Sequence, residues 1–109
     1  MIEFILFQAT RFEFFWMYEK FLQKMQEKIR TRQFVMSLHA VEEMEDDQLS
    51  IFDVESCILT GRINERQKAS ATNEWKYVVN GEALNGDPLF VVVKLSPIDT
   101  LVIITVYRE

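Results

Sequence analysis

Leu89-Phe90-Val91-Val92-Val93-Lys94-Leu95 and Leu101-Val102-Ile103-Ile104-Thr105-Val106-Tyr107 are two nearly unbroken apolar runs separated by Ser96-Pro97-Ile98-Asp99, with Pro97 at the second position of a turn. Runs of this length, rich in β-branched residues and bounded by turn residues, predict the two central strands of a sheet. Their near-continuous hydrophobicity predicts cover on both faces. Working backwards, Asn85-Gly86-Asp87-Pro88 marks one turn and Asn80-Gly81 another. Glu74–Val79 and Arg62–Gln67 are then expected to pair across a polar loop, giving about four antiparallel strands in the second half of the chain.

Helical spacing governs the first half. Ser50 with Asp53 three residues on has the pattern of a capping box, Ile51, Val54 and Ile58 form a stripe, and Gly61 follows as an expected C′ residue, predicting a helix over 50–60. Ser37 is placed to cap a helix over 38–46 containing Ala40, Val41 and Met44. Phe14, Tyr18, Phe21, Leu22, Met25 and Ile29 recur at steps of three and four, predicting a long first helix over 14–32, followed by an extended piece at Gln33–Met36. The helices 38–46 and 50–60 are expected on one sheet face. The first helix, or a second copy of the chain, is the available cover for the other.

Composition sets the class. The chain has 109 residues, 49% hydrophobic and 27% charged, which reads as one globular domain able to bury roughly two thirds of its unfolded surface. The single Cys57 excludes an intramolecular disulfide and a cysteine-rich zinc site, and fits a reducing, cytoplasmic home. Arg11, Glu13, Glu19 and Lys20 interrupt the N-terminal apolar run too soon for a membrane span, and a signal peptide lacks its basic start and cleavage site. The formal charge of −5 discourages capture of nucleic acid by overall field, but all of the surplus lies in residues 1–61, with six basic and eleven acidic side chains. Residues 62–109 carry six of each.

Gly-rich phosphate loops, paired zinc histidines and Gly-x-Ser-x-Gly are absent. His39 and Glu43, four apart on one helix, offer two metal ligands with no third at characteristic spacing, so a structural histidine is the simpler account and no cofactor is expected. The remaining constellation is cationic and phenolic: Arg62, Arg66 and Lys68, then Lys76-Tyr77, Lys94 and Tyr107. A sheet presenting these can bind a nucleic-acid backbone and stabilise a transferring phosphate. From chemistry alone the favoured account is edge-strand charge that resists sheet-to-sheet pairing, with half-buried tyrosines. Alternation sends Trp75, Tyr77 and Val79 one way and Lys76 and Val78 the other, and Lys94 shares a face with Val92 and Phe90. Phe14, Phe15, Trp16, Tyr18 and Phe21 form an aromatic N-terminal cluster whose off-stripe members predict a homo-oligomer or bound partner through the first helix.

Arg32-Gln33-Phe34-Val35-Met36-Ser37-Leu38-His39-Ala40, then Met44, Ser50, Asp53-Val54, Ile58, Gly61, Lys76-Tyr77, Gly81, Val91-Val92-Val93 and Thr105-Val106-Tyr107 together resemble the prokaryotic domain-of-unknown-function family four-two-five-eight over residues 25–109. That family is grouped by fold similarity with RelE/ParE-type toxins and their BrnT and MqsR relatives. The resemblance implies an α+β, RelE-like fold with helices on an antiparallel sheet. It implies a toxin neutralised by an antitoxin protein and acting on RNA, free or on the ribosome, as a metal-independent ribonuclease using 2′-hydroxyl attack. The positions matching the family are His39, Lys76, Tyr77 and Tyr107, the expected catalytic set. Arg62, Arg66, Lys68 and Lys94 are added from chemistry as RNA contacts. Residues 1–24 fall outside the resemblance and are expected to be an assembly helix or an upstream start. The alternative is a non-catalytic protein-interaction module of the same fold.

Overall fold

The computed structural model describes residues 2–68, 71–72 and 74–108, with side chains described from Trp16 onward. The order is α1 (Ile2–Arg30), β1 (Phe34–Met36), α2 (Leu38–Asp46), α3 (Ile51–Thr60), β2 (Arg62–Lys68), β3 (Trp75–Glu82), β4 (Pro88–Leu95) and β5 (Leu101–Arg108). The strands form one sheet in the order β1-β5-β4-β3-β2, so the fold is α+β as expected, with five strands instead of four. The fifth is the extended piece after α1: Phe34–Met36 runs parallel to β5, making the sheet mixed instead of purely antiparallel.

Local signals explain the helix ends. Ser37 Oγ accepts from the Ala40 amide, and Ser50 and Asp53 form the expected capping box. α1 stops in a Schellman turn: Gln33 N–H donates to Lys28 O (2.8 Å) and Arg32 N–H to Ile29 O (3.2 Å), with Arg32 at φ +57°. α2 repeats the motif, with Leu49 N–H donating to Met44 O, Gln48 N–H to Glu45 O, and Gln48 at φ +57°. No glycine marks either end in the sequence.

Glycine is used instead where backbones touch. Gly61 is extended, not left-handed (φ −92°, ψ −179°), and Gly81 lies inside β3, opposite Leu89, instead of in a turn. A Cβ on Gly81 would strike the Cys57 carbonyl oxygen and lie 2.8 Å from its carbon; one on Gly61 would lie 2.7 Å from Val79 Cγ1. The two glycines let the end of α3 settle onto the backbone of β3. The β3–β4 turn falls later, with Gly86 at φ +91°.

Leu22, Met25 and Ile29 of α1, Ala40 of α2 and Val54, Cys57 and Ile58 of α3 are buried, and all but Leu22 join one core cluster with Tyr77, Val79, Leu89, Val91, Val93, Leu101, Ile103 and Val106. All three helices therefore cover the same sheet face. The expectation that α1 shields the opposite face is corrected: Met25 and Ile29 share the core with α2 and α3. α1 is anchored further by Gln26, which donates to Ile58 O (3.2 Å), and by Lys24 and Lys28, which hold Asp99 at 2.7 and 3.1 Å. α2 closes the edge of β5 beyond the short β1: Ser37 Oγ donates to Ile104 O (2.9 Å) and the Val106 amide to Glu43 Oε1 (3.1 Å).

Two bulges decide which side chains reach which face. On β5, Ile103 opposes Val93 and Thr105 opposes Val92, so Ile104 is an extra residue. Val106 then takes the core face, and Tyr107 turns to the open face opposite Phe90. On β2, Ile63 opposes Val79 and Glu65 opposes Val78, leaving Asn64 extra. Arg66 and Lys68 are thereby turned to the helix face beside Tyr77 and Trp75, while Glu65 and Gln67 take the open face.

Gly81→Ala should destabilise the fold by about 3 kcal/mol or more, since neither backbone can yield, whereas Gln48→Gly should be neutral or stabilising by up to about 1 kcal/mol because it relieves a left-handed residue. Urea unfolding of both variants tests the contrast. Burial pushes the Cys57 thiol up to about 12, so a thiol reagent should label it only as fast as the chain opens, and at once in denaturant. The Ser50 and Leu84 amides hold the Asp53 carboxyl below its ordinary value, a contribution present above about pH 4 and lost as pH falls through the lowered folded value. Asp53→Asn should accordingly lower the melting temperature at pH 7 and make it fall less steeply between about pH 5 and 3.

Candidate functional site

The face opposite the helices is the open one. Register places Arg62, Glu65 and Gln67 of β2, Lys76, Val78 and Asn80 of β3, Phe90, Val92 and Lys94 of β4, and Val102, Thr105 and Tyr107 of β5 upon it. Continuing the β3–β4 register one step beyond the Tyr77–Val93 pair sets Lys76 opposite Lys94. Two like charges directly across a ladder oppose folding unless something neutralises them.

Glu74 supplies part of that neutralisation. Its Oε2 accepts from Lys94 Nζ at 2.8 Å, leaving Lys76 beside the pair. Glu74, Lys76 and Lys94 line one cavity of about 370 Å³, closed by Val102 and Ile104 of β5, Ser37 ahead of α2 and Thr72 before β3. Its lining combines apolar Ala71, Val102 and Ile104 with two ammonium groups, one carboxylate and the Thr72 hydroxyl, the Ser37 hydroxyl being engaged with the Ala40 amide and Ile104 O. The set combines positive charge with a carboxylate of the kind that can accept a proton.

Elsewhere on this face the Tyr107 and Phe90 rings stack, with centroids 5.0 Å apart and planes 5° from parallel. Four residue steps along β4 separate Phe90 from Lys94, about 13 Å. The aromatic pair is thus a second feature of the open face, next to the lysine cavity and not inside it.

The structure divides the residues that the sequence grouped together. Lys76, Lys94, Tyr107 and Arg62 share the open face, with Arg62 towards its far corner opposite Asn80. Tyr77 belongs to the helix side, 4% exposed, its ring 4.9 Å from that of Phe21. Burial pushes its phenol above the ordinary value, and Arg66 offsets part of that rise. Arg66 lies 4.0 Å over the Trp75 ring and approaches Met17 Sδ at 3.8 Å, and Lys68 Nζ sits 5.5 Å from the same Trp75 ring. Tyr77, Arg66 and Lys68 therefore form a cation–aromatic cluster beside α1, on the face opposite Lys76.

His39 stands apart from both groups. It is exposed on α2, with Nε2 3.2 Å from Glu43 Oε1, the oxygen that accepts the Val106 amide. Among the described residues no three His, Cys, Asp or Glu side chains converge as metal ligands, and no helix is long and apolar enough to cross a membrane. Of the N-terminal aromatic cluster, Tyr18 and Phe21 are partly buried against the chain's own core, and Trp16 is 52% exposed. Phe14 and Phe15 lie outside the described side chains.

Glu74 is the member of the site that sequence reading passed over. It precedes β3 at the end of a polar loop, and its only sequence signal is the even spacing that gives it the same parity as Lys76.

No curated protein and no solved structure matches the chain. The family described as Domain of unknown function (DUF4258) matches residues 36–108, from the end of β1 to the end of β5. That span takes in α2, α3 and the four long strands, and with them both bulges and every residue of the lysine cavity. The chain belongs to this family.

Proposed function

We propose that the open sheet face binds single-stranded RNA and that the chain is a RelE/ParE-type toxin, a metal-independent endoribonuclease held in check by an antitoxin protein. The observation that supports this most is the Lys76–Lys94 pair with Glu74 in one cavity, a like-charge pairing that an anionic ligand would relieve. In this reading the scissile phosphate sits between the two ammonium groups. Glu74 takes the proton of the 2′-hydroxyl as its oxygen attacks phosphorus. The bond to the 5′-oxygen breaks, and Lys76 delivers the proton that the departing oxygen requires. The products are a 2′,3′-cyclic phosphate and a 5′-hydroxyl, with no metal in the balance.

Tyr107, stacked on Phe90, supplies a flat aromatic edge for a neighbouring base, a contact worth about 1–3 kcal/mol in single-strand binders. Arg62 extends the basic track towards β2. Arg66, Lys68 and Tyr77 take no part in catalysis here, because they lie across the sheet, and His39 is outside the cavity.

Full-length protein incubated with unstructured RNA, alone and with ribosomes, should yield cyclic-phosphate ends. Lys76→Ala, Lys94→Ala and Glu74→Gln should each lower the rate at least about 100-fold, the usual range for loss of a charge stabiliser or general base. Tyr107→Ala should weaken RNA binding about tenfold, within the cost of losing one stacking contact. Lys68→Ala, on the other face, should leave the rate unchanged. Induced expression should arrest bacterial growth and the Lys76→Ala form should not. Intact RNA in every condition, together with normal growth of cells rich in folded wild-type protein, would exclude this function.

A further inference from the structure

The outer side of α3 carries apolar side chains that the core does not use. Phe52 and Leu59, seven residues apart on one helix face, are 55% and 40% exposed, and Leu84 in the β3–β4 hairpin is 67% exposed. These side chains converge. Phe52, Glu55, Ser56, Leu59, Thr60 and Leu84 line a groove of about 310 Å³.

The groove is a fixed feature of the fold. The Leu84 amide donates to Asp53 Oδ1 (3.0 Å) and the Glu82 amide to Thr60 Oγ1 (3.0 Å), so the hairpin that forms one wall is tied to the helix that forms the other. From Phe52 to Leu59 the helix rises about 10.5 Å, two turns. That length and a flanking apolar wall suit a helix laid alongside α3 with its apolar stripe inward.

Charge selects the occupant. Residues 38–61 contain seven carboxylates and not one Lys or Arg. Glu55 lines the groove, Asp53 holds one wall, and Glu82 and Asp87 lie on the hairpin. Of the cations near this hairpin, Arg108 is already engaged with Asp87 (3.5 Å) and the Asp47 carbonyl (3.1 Å), and Arg62 lies beyond Thr60 on the open face opposite Asn80, outside the groove lining. A second copy is disfavoured, because an isologous contact would bring this acidic surface against itself.

We propose that this groove docks a basic amphipathic helix of a partner protein, its apolar stripe on Phe52, Leu59 and Leu84 and its Lys or Arg flank against Glu55 and the acidic α2–α3 surface. The site is separate from the lysine cavity, across the sheet from it, and stands whether or not the chain cleaves RNA.

The test uses the full chain and three synthetic 18-residue peptides: two with the same leucine spacing, one carrying lysines and the other glutamates on the polar face, and a third with the lysine sequence scrambled so that the apolar stripe is lost. Binding is measured by titration calorimetry and by amide chemical shifts. The lysine peptide should bind with shifts centred on Phe52, Leu59 and Leu84, at least tenfold tighter than the other two, and weaken as salt is raised. Phe52→Ser, Leu84→Ser and Glu55→Lys should each weaken it at least fivefold, while Ile98→Ser, an exposed apolar change at the far hairpin, should leave it unchanged. Phe52 and Leu84 are exposed, so retained melting temperatures will separate lost docking from lost folding. Equal binding to all variants, equal binding of the glutamate peptide, or no binding would overturn the proposal. So would self-association of the wild-type chain that Leu84→Ser abolishes, which would give the groove to a second copy.

Discussion

The arrangement rests on a contact between two backbones. The last turn of α3 lies so close to β3 that Gly61 and Gly81 leave no room for a methyl group against Cys57 and Val79. That approach presses Val54, Cys57 and Ile58 onto Val79, Leu89 and Val91, and Cys57 donates its thiol proton to Leu89 O at 3.2 Å. α1 then packs on α3 and α2 seals the edge of β5. Three helices gathered on one face leave the other face without a helix, and that imbalance produces a broad, mixed apolar and cationic sheet surface.

The chemistry of the open surface is set by two extra residues. Without the bulge at Ile104, strict alternation would send Thr105 and Tyr107 to the side of Leu101 and Ile103. Without the bulge at Asn64, Arg66 and Lys68 would join the open face. Each bulge shifts the parity of every later residue in its strand: on β5 Thr105 and Tyr107 exchange faces with Val106, and on β2 Glu65 and Gln67 exchange faces with Arg66 and Lys68. A sheet that reads in sequence as one basic and phenolic surface is in fact two surfaces. One holds Lys76, Lys94 and the Phe90–Tyr107 stack, and the other sets Arg66 and Lys68 against the Trp75 ring, with Arg66 reaching Met17 of α1.

The acidic balance of the chain takes on a spatial meaning in the same way. Seven carboxylates crowd residues 38–61 on the helical side, while the lysine cavity, with Glu74 as its one carboxylate, lies across the sheet. A low isoelectric point and a cavity lined by two lysines are compatible because the sheet and its apolar core lie between that cavity and the acidic helices, and salt screens exposed charges at such separations.

Periodicity and caps determined the local structure from the sequence alone: the stripe Leu22, Met25 and Ile29, the Ser37 cap, the Ser50–Asp53 box and the two Val/Ile runs depend on neighbours within a few residues, and each stands where the pattern puts it. The family was legible too, in the ordered series from Arg32 to Tyr107. Tertiary structure alone decided the rest. Asn80-Gly81 has the letters of a turn, yet the packing of α3 makes it strand; Phe34–Met36 becomes a fifth strand only because β5 offers a free edge; Glu74 meets Lys94 across twenty residues. Bulges, edges and helix-on-sheet contacts are settled by partners distant in the chain, and no window of local sequence contains both halves of such a contact.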